Sequence, residues 1–212
     1  MSLINVWLSP ERALIACDTE AKKSQTGQFF EASKMLFLPH AGTIFALRGN
    51  NVVLTTLYVL ASQEDVVGFD ALCRALPLLL TRTWQFVGPL LTSSLPAERV
   101  HKQELIVCGH SRAARRICCK LFRLGGPQIG FEESDVEDPG YVGCWDLSWG
   151  NPPQAVGTIA AMASLAQTQV ANSLVRYPNE AIGGRLLVAE LTANKVEFST
   201  IEPFFSRINA AH

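Results

Sequence analysis

Hydrophobic residues along the first fifty positions form short runs, which are separated by residues typical of turns. Apolar runs occupy residues 3–8 and 13–17 around Ser9-Pro10-Glu11-Arg12, and residues 34–38 and 43–47 around Pro39-His40-Ala41-Gly42. Short apolar runs bounded by Pro, Gly and polar residues are typical of β-hairpins. The pattern therefore predicts two hairpins, the second ending in Arg48-Gly49-Asn50.

The hydrophobic spacing then becomes helical. Apolar residues recur every three or four positions over 53–61 and again over 69–76, after a cap at Gly68-Phe69-Asp70. This spacing predicts two consecutive helices, the second of which Pro77 would kink or end. A third apolar helical face runs over residues 154–175.

The remaining apolar segments are short. Residues 104–108 are typical of a buried strand, whereas residues 116–122 fit either a strand or a helix. Two runs at 186–191 and 195–201, joined by Thr192-Ala193-Asn194, predict a closing hairpin. Hairpins give antiparallel sheets, and helices grouped in blocks cover the faces of sheets as layers. We therefore expect an α+β sandwich of two sheets, built as a single domain over residues 1–212.

Composition and charge exclude several classes of protein. Hydrophobic residues make up 48% of the chain and charged residues 17%, which predicts a folded domain. The 18 Lys and Arg residues balance 19 Asp and Glu residues, so we expect no nucleic-acid partner, and we interpret the basic residues within 112–123 as a solvated face. The longest uncharged stretch, 147–175, carries several Asn and Gln residues and would be a poor membrane span. The first residues have neither a basic segment nor a long apolar run, so we expect no signal peptide. We expect a cytoplasmic protein without a membrane partner.

The six cysteines show no paired spacing and no C-x-x-C motif. In a reducing compartment such residues are usually small members of the core. Cys108, His110 and Cys144 follow no known zinc spacing, so we expect neither a metal nor a cofactor.

Ser2 is the strongest candidate for chemistry. Removal of Met1, the usual fate of an initiator Met before a small residue, would place a hydroxyl and an α-amine on one residue. An α-amine titrates near about 7.7–8, so it can take the hydroxyl proton near neutral pH. Asp18 and Lys34 lie where adjacent strands could bring a carboxylate and an ammonium beside it. Gly49 could offer a backbone N–H to a developing oxyanion.

This arrangement resembles the proteasome β-subunits and the HslV-type peptidases, which are N-terminal-nucleophile hydrolases built as four-layer αββα sandwiches. Ser2 and Asp18 are sixteen residues apart, and so are Asp18 and Lys34, as are the nucleophile, acid and lysine of the family. Ala16-Cys17-Asp18 and Ala32-Ser33-Lys34 are similar to the segments that carry the family's acid and lysine. The run from Ile182 to Val188 resembles its glycine-rich entry into the closing hairpin.

The resemblance implies a peptidase that works inside a homo-oligomeric ring on peptides or unfolded proteins, with an ATPase unfoldase as a further partner. Ser2 would be the nucleophile, with Asp18, Lys34 and Gly49 completing the catalytic set. The same alignment implies a pocket for the side chain that precedes the cut, and its small and apolar lining suggests an apolar preference. Its residues would be Ala21, Ala32, Leu47 and Asn51.

The chain also departs from the family. Serine replaces the usual threonine nucleophile, and Asn179 and Ile182 stand where the family has an acid and a serine; a further serine of the family corresponds loosely to Ser148. These departures favour an alternative, in which the protein is a catalytically impaired proteasome-like scaffold or binding protein whose value lies in assembly.

A third hypothesis comes from an unrelated enzyme class. Glu104 to Cys108 followed by Gly109-His110-Ser111-Arg112-Ala113 is similar to a strand leading into the nucleophile elbow of an α/β-hydrolase. That elbow requires a helix directly after Ser111 and a histidine later in the chain. His212 is the one histidine that follows.

Overall fold

The computed structural model describes residues 2–23, 26–94, 100, 103–125, 130–143, 157–177 and 182–205. The chain divides into two compact units. We call them the terminal unit, which joins Met1–Lys34 to Glu137–His212, and the central unit, Met35–Val136.

The terminal unit contains two antiparallel sheets, whose strands are β1 Ile4–Leu8, β2 Arg12–Asp18, β3 Glu20–Lys22, β4 Phe29–Glu31, β10 Gly140–Val142, β11 Gly184–Thr192 and β12 Val196–Phe205. The larger sheet has the order β10-β1-β2-β11-β12, and the smaller sheet pairs β3 with β4. Strand β2 therefore lies at the centre of the larger sheet, with Cys17 opposite Ile4 of β1 and Asp18 opposite Leu186 of β11.

One described helix, α3 (Ile159–Arg176), packs on this sheet. It begins after Thr158, whose hydroxyl accepts a hydrogen bond from the Ala161 amide at 3.2 Å. The apolar face of α3 is buried against β2 and β11. Met162, Ala166 and Val170 of the helix share one hydrophobic cluster with Leu14 of β2 and Leu186 of β11. The helix predicted over 154–175 is confirmed from residue 159; residues 154–156 lie outside the described part of the chain.

The elements of the central unit are β5 Met35–Leu38, β6 Thr43–Arg48, α1 Asn51–Gln63, α2 Phe69–Ser94, β7 Glu104–Ser111, β8 Arg116–Gly125 and β9 Gly130–Asp135. Its strands form a second five-stranded antiparallel sheet, in the order β5-β6-β7-β8-β9. Helices α1 and α2 bury their apolar faces against the sheet, where Phe45, Leu54, Leu57, Leu72 and Leu76 are fully buried.

Both predicted hairpins, both predicted helices and the closing hairpin are present. The α+β class with antiparallel sheets is therefore confirmed. Helix α2 does not end at Pro77, because it continues through Pro77 and Pro89 to Ser94. An interior proline costs a helix roughly 3 kcal/mol. Burial of apolar residues on both sides of Pro77, including Leu76 and Leu79, offsets this cost.

Residues 116–122, which the sequence left open, belong to strand β8. Ser111 ends β7, and a turn connects the two strands, so no helix follows Ser111. The nucleophile-elbow hypothesis is therefore wrong. The Ser111 hydroxyl instead accepts a hydrogen bond from the Ala114 amide at 3.0 Å and helps to form the turn. His212 lies outside the described residues.

Asp70, at the start of α2, holds the same turn. Its Oδ2 atom accepts hydrogen bonds from the amides of Arg112 at 2.9 Å and Ala113 at 3.1 Å. A hydrogen bond from the Ser111 hydroxyl, with these two amide bonds, lowers the pKa of the Asp70 carboxyl in spite of some burial. The turn therefore favours the ionised carboxylate.

The Asp70→Asn variant should lose a little stability, and the loss should depend on pH. A carboxyl whose pKa is lower in the folded chain contributes stability that is present above its unfolded pKa of about 3.9 and is lost as pH falls through the folded pKa. We expect a loss of less than about 1 kcal/mol at pH 7, because the site is solvated, and a smaller one near pH 3. Urea unfolding at both pH values measures this, with Asp65→Asn as a control at an exposed acid. A loss that does not change with pH would contradict it.

Several strands were not predicted. They are the short pair β3-β4, which is polar at its ends, and strands β9 and β10, which flank an acidic segment. Across the described residues, no helix combines the length and hydropathy that a membrane span needs.

Candidate functional site

Asp18 ends β2 with a carboxylate that no solvent reaches. Its Oδ1 atom accepts a hydrogen bond from the Leu3 amide at 2.8 Å. Its Oδ2 atom accepts one from the Lys34 ammonium at 2.8 Å and one from the Gly183 amide at 3.1 Å. Strand pairing explains this convergence, because β2 lies between β1 and β11, and the residues just before those two strands reach its end. A buried carboxylate requires such partners.

Lys34 is the cation of this site. Its side chain is 6% exposed, and its Nζ atom also donates a hydrogen bond to the backbone oxygen of Glu20 at 2.5 Å. Lys34 immediately precedes β5, whereas Glu20 opens β3. The Lys34 ammonium thus connects the residue before β5 to both β2 and β3, and its acceptors Asp18 and Glu20 are protein atoms in a buried site.

Ser2 is 9% exposed and directly precedes the amide that binds Asp18. The structure therefore brings Asp18 and Lys34 into direct contact and anchors the backbone next to Ser2 on the same carboxylate. These three residues were selected from the sequence, and all lie in the terminal unit.

Cys17 lies beside Asp18 but is a poor nucleophile. Complete burial, reinforced by the charge of Asp18 and opposed by Lys34, raises the pKa of its thiol far above the ordinary value. A thiol in this state stays protonated, and the reactive form of cysteine is the thiolate. Among the described residues, no group of three His, Cys, Asp or Glu side chains is placed to hold a metal ion.

Gly49 follows β6 in the central unit. Its φ of +152° lies in the region that favours glycine. A Cβ atom at this position would lie 2.0 Å from the Oε1 atom of Gln103, which accepts a hydrogen bond from the Asn50 amide at 2.7 Å. Gln103 is 3% exposed, so its amide cannot move out into solvent easily. Gln103 could not be predicted from the sequence, because an isolated glutamine before a strand carries no motif.

The Gly49→Ala variant should therefore be less stable by about 1–3 kcal/mol, the usual cost of a displaced buried hydrogen bond together with backbone strain. Urea unfolding at pH 7 measures the change. Gly42→Ala is the matched control, because Gly42 also has a positive φ, of +57°, but a Cβ there meets nothing within 4 Å. Equal losses in the two variants would show that the contact with Gln103 contributes nothing.

The predicted pocket residues fall in both units. Ala21 lies in β3 and Ala32 follows β4, whereas Leu47 is buried in β6 and Asn51 opens α1. The terminal unit contains an open groove of about 400 Å³. Ala32 lines it together with Thr19, Glu31, Ser33, Arg185, Leu187 and Thr200.

Two of the family positions lie outside the described residues, Ser148 and Asn179. Ile182, at the position of the family's serine, is fully buried in the hydrophobic cluster that helix α3 forms with β2 and β11. Gly183, the next residue, supplies the amide that binds Asp18.

No protein-family model matches the chain, and no curated protein matches it. Solved structures do match. An Anbu (Gly-1) mutant from Hyphomicrobium sp. strain MC1 covers 99% of this chain and 91% of its own, with a TM-score of 0.61 at 12% sequence identity. The chain has a proteasome-like fold.

Two further Anbu structures agree with this assignment. The protein from Yersinia bercovieri, described as an ancestral β-subunit, covers 95% of this chain and 87% of its own, with a TM-score of 0.63 at 14% identity. A second Anbu structure from Hyphomicrobium sp. strain MC1 covers 95% and 88%, with a TM-score of 0.60 at 14% identity. The predicted relationship to proteasome β-subunits is thus confirmed for the fold, and none of these matches points to the HslV type in particular.

Proposed function

We propose that this proteasome-like chain is an N-terminal-nucleophile hydrolase that cleaves peptide bonds with Ser2 as its nucleophile. The observation that supports the proposal best is the buried carboxylate of Asp18. It binds both the Lys34 ammonium and the backbone amide next to Ser2. A hydrolase of this kind needs an acid and a cation beside its first residue, and these contacts supply both.

Removal of Met1 exposes the α-amine of Ser2. The Ser2 hydroxyl attacks the peptide carbonyl, and the α-amine accepts the hydroxyl proton and passes it to the leaving amine. Gly49 donates its N–H to the oxyanion, as the family resemblance implies. A water molecule, deprotonated by the same α-amine, then hydrolyses the acyl-enzyme and releases Ser2.

Lys34 and Asp18 have separate roles in this proposal. A positive charge close to an amine disfavours the protonated amine and lowers its pKa, which keeps the base of Ser2 available at neutral pH. Asp18 holds the ammonium in place and offsets its charge in a buried site.

Substrate and assembly follow from the resemblance. The resemblance assigns Ala21, Ala32, Leu47 and Asn51 to the pocket for the side chain before the cut, and a small and apolar lining would favour apolar residues there. The chain assembles as a homo-oligomeric ring in the cytoplasm, takes peptides or unfolded proteins, and receives them from an ATPase unfoldase. Size-exclusion chromatography with light scattering tests the assembly, and a monomer at micromolar concentration would contradict the ring.

A second candidate function is a proteasome-like scaffold or binding protein without turnover. The buried apolar side chain of Ile182 favours it, because the family has a serine hydroxyl at this position that helps to organise the amine. The Asn179 substitution favours it in the same way.

The intact mass of the purified chain separates the two functions first. A mass that includes Met1 leaves Ser2 without a free amine and favours the scaffold. A chain that begins at Ser2 should react with a peptide epoxyketone, and tryptic mass spectrometry should find the adduct on the Ser2 peptide. Absence of an adduct on a chain that begins at Ser2 contradicts the hydrolase.

A further inference from the structure

Thr19, the residue after Asp18, connects three segments of the terminal unit. Its amide donates to the backbone oxygens of Arg185 at 3.0 Å and Gly183 at 3.2 Å, and its own backbone oxygen accepts from the Ala32 amide at 2.8 Å. Its hydroxyl oxygen accepts from the Arg185 amide at 2.9 Å. Thr19 is thus bonded to the start of β11 and to the chain that leads to Lys34.

The side chains of Arg185 and Glu31 join the same two segments a second time. Arg185 donates from Nε to Oε1 of Glu31 at 3.1 Å and from Nη2 to Oε2 of the same carboxylate. The Thr19 hydroxyl donates to Oε1 of Glu31 at 3.5 Å. Such two-point contacts fix orientation as well as distance, because the planar guanidinium matches the carboxylate.

The Arg185–Glu31 pair lies close in sequence to two residues that contact Asp18, Lys34 and Gly183. Glu31 ends β4, three residues before Lys34, and the intervening Ala32-Ser33 belongs to neither a helix nor a strand. Arg185 lies two residues after Gly183, whose amide binds Asp18. The pair therefore fixes the short connection to Lys34 against the start of β11, next to the Gly183 amide that donates to Asp18.

We propose that Arg185 and Glu31 are positioning residues that hold the Lys34 ammonium against Asp18 and thereby set the protonation of the Ser2 α-amine. The inference rests on the proposed function, because it deepens the role given to Lys34 there.

The pair has little reason to exist for stability alone. The side chains are 48% and 34% exposed, and ion pairs at such positions typically contribute about 0–1 kcal/mol. Its effect should therefore show in the chemistry of the amine. A Lys34 that moves away from Asp18 no longer disfavours the protonated amine, so the pKa of the amine should rise.

The groups that act on this amine lie in one part of the terminal unit. Asp18 and Lys34 carry opposite charges, Cys17 is a protonated thiol, and Glu20 adds a fully buried side chain. None of them is altered in the Arg185 and Glu31 variants below. The two charge reversals change the local charge in opposite directions, so a rise of the amine pKa in both variants reports the position of Lys34.

The test uses the full chain prepared with Ser2 as its first residue. A limiting amount of an acetylating ester is added across pH 5 to 10, and mass spectrometry of the N-terminal peptide gives the apparent pKa of the amine without any need for turnover. We expect Arg185→Glu and Glu31→Arg each to raise this pKa by about 0.5 unit or more. The double exchange should restore the ion pair with reversed charges and return the pKa to within about 0.2 unit of the parent.

Two milder variants, Arg185→Lys and Glu31→Gln, keep the test valid if a charge reversal prevents folding. Each should give a smaller rise in the same direction. Lys195→Glu is the matched control, because it breaks another exposed ion pair, with Glu197, in the closing hairpin and should leave the amine unchanged. Thermal unfolding of every variant shows whether a shift arises from loss of structure.

The outcomes separate this inference from the proposed function. If Lys34→Met raises the pKa of the amine but the Arg185 and Glu31 variants do not, the positioning role is wrong while the hydrolase remains. If the pKa of the amine shifts as expected and an epoxyketone labels none of the chains, the positioning role holds and the proposed hydrolase activity is wrong. A double exchange that fails to return the pKa of the amine to the value of the parent also overturns the positioning role.

Discussion

Replacing Ser2 by alanine in a chain that begins at residue 2 should abolish covalent labelling by a peptide epoxyketone, with a rate reduced by about 10³-fold or more. The loss should be nearly complete because the neighbouring thiol cannot substitute for the hydroxyl. Cys17 is fully buried, and burial keeps it protonated. Quantitative mass spectrometry of the N-terminal peptide over a time course measures the rate.

Ser2→Thr is the matched control for this prediction, since threonine keeps the hydroxyl and the amine. It should retain labelling within about tenfold of the parent, because one added methyl group only restricts the χ1 rotamer. Thr26→Ala, at an exposed position, should leave labelling unchanged. Equal labelling of Ser2→Ala and the parent would assign the nucleophile elsewhere and end the proposed mechanism.

The Lys34→Met variant should lose about 3–5 kcal/mol of unfolding free energy, since it leaves the Asp18 carboxylate buried without its cation. Methionine has nearly the length of lysine, so the change removes charge and hydrogen bonds with little loss of packing. The amides of Leu3 and Gly183 remain on the carboxylate and keep the loss below the full cost of an isolated charge. Urea unfolding followed by circular dichroism gives the value.

Lys195→Met provides the control for this loss. Lys195 also pairs with a glutamate, Glu197, but the two side chains are 64% and 54% exposed, so the loss should stay below about 0.5–1 kcal/mol. The double variant with Asp18→Asn and Lys34→Met should lose less unfolding free energy than the sum of the losses in the two single variants, with a coupling energy of about 1–3 kcal/mol. A loss in Lys34→Met no larger than that in Lys195→Met would mean that water reaches the ion pair.

The parts of the fold that could be predicted from the sequence are those with a strong hydrophobic period. The hairpin of β1 and β2 and the helices α1 and α2 have apolar faces wide enough to specify their type. The Asp18–Lys34 contact could be expected from the spacing that the family resemblance implies, and not from strand pairing, because Asp18 ends β2 of one sheet whereas Lys34 precedes β5 of another. Whether these residues catalyse a reaction stays a prediction.

The elements that the sequence did not indicate have little apolar surface. Strand β9 lies at a sheet edge and contains acidic residues, and its neighbour β8 supplies Lys120 as a partner for Glu133 and Asp135. Backbone pairing and charge, rather than hydrophobic alternation, determine such a strand.

Long-range polar contacts were equally hidden. Arg185 contacts Glu31 across 154 positions, and Asn5 forms a buried amide pair with Gln169 across 164 positions. Each residue alone has no distinguishing context in the sequence. Tertiary structure is needed to bring such partners together.

The contacts of Asp18 also have a consequence for biosynthesis. Two of its donors, Leu3 and Lys34, lie close to Asp18 in the sequence and leave the ribosome at nearly the same time, but Gly183 lies 165 residues after Asp18. Strand β11, which covers one side of β2, is made at the same late stage. A nascent chain therefore cannot complete the surroundings of this carboxylate until residue 183 has left the ribosome, which delays any reactivity of the segment around Ser2 until the polypeptide can fold around it.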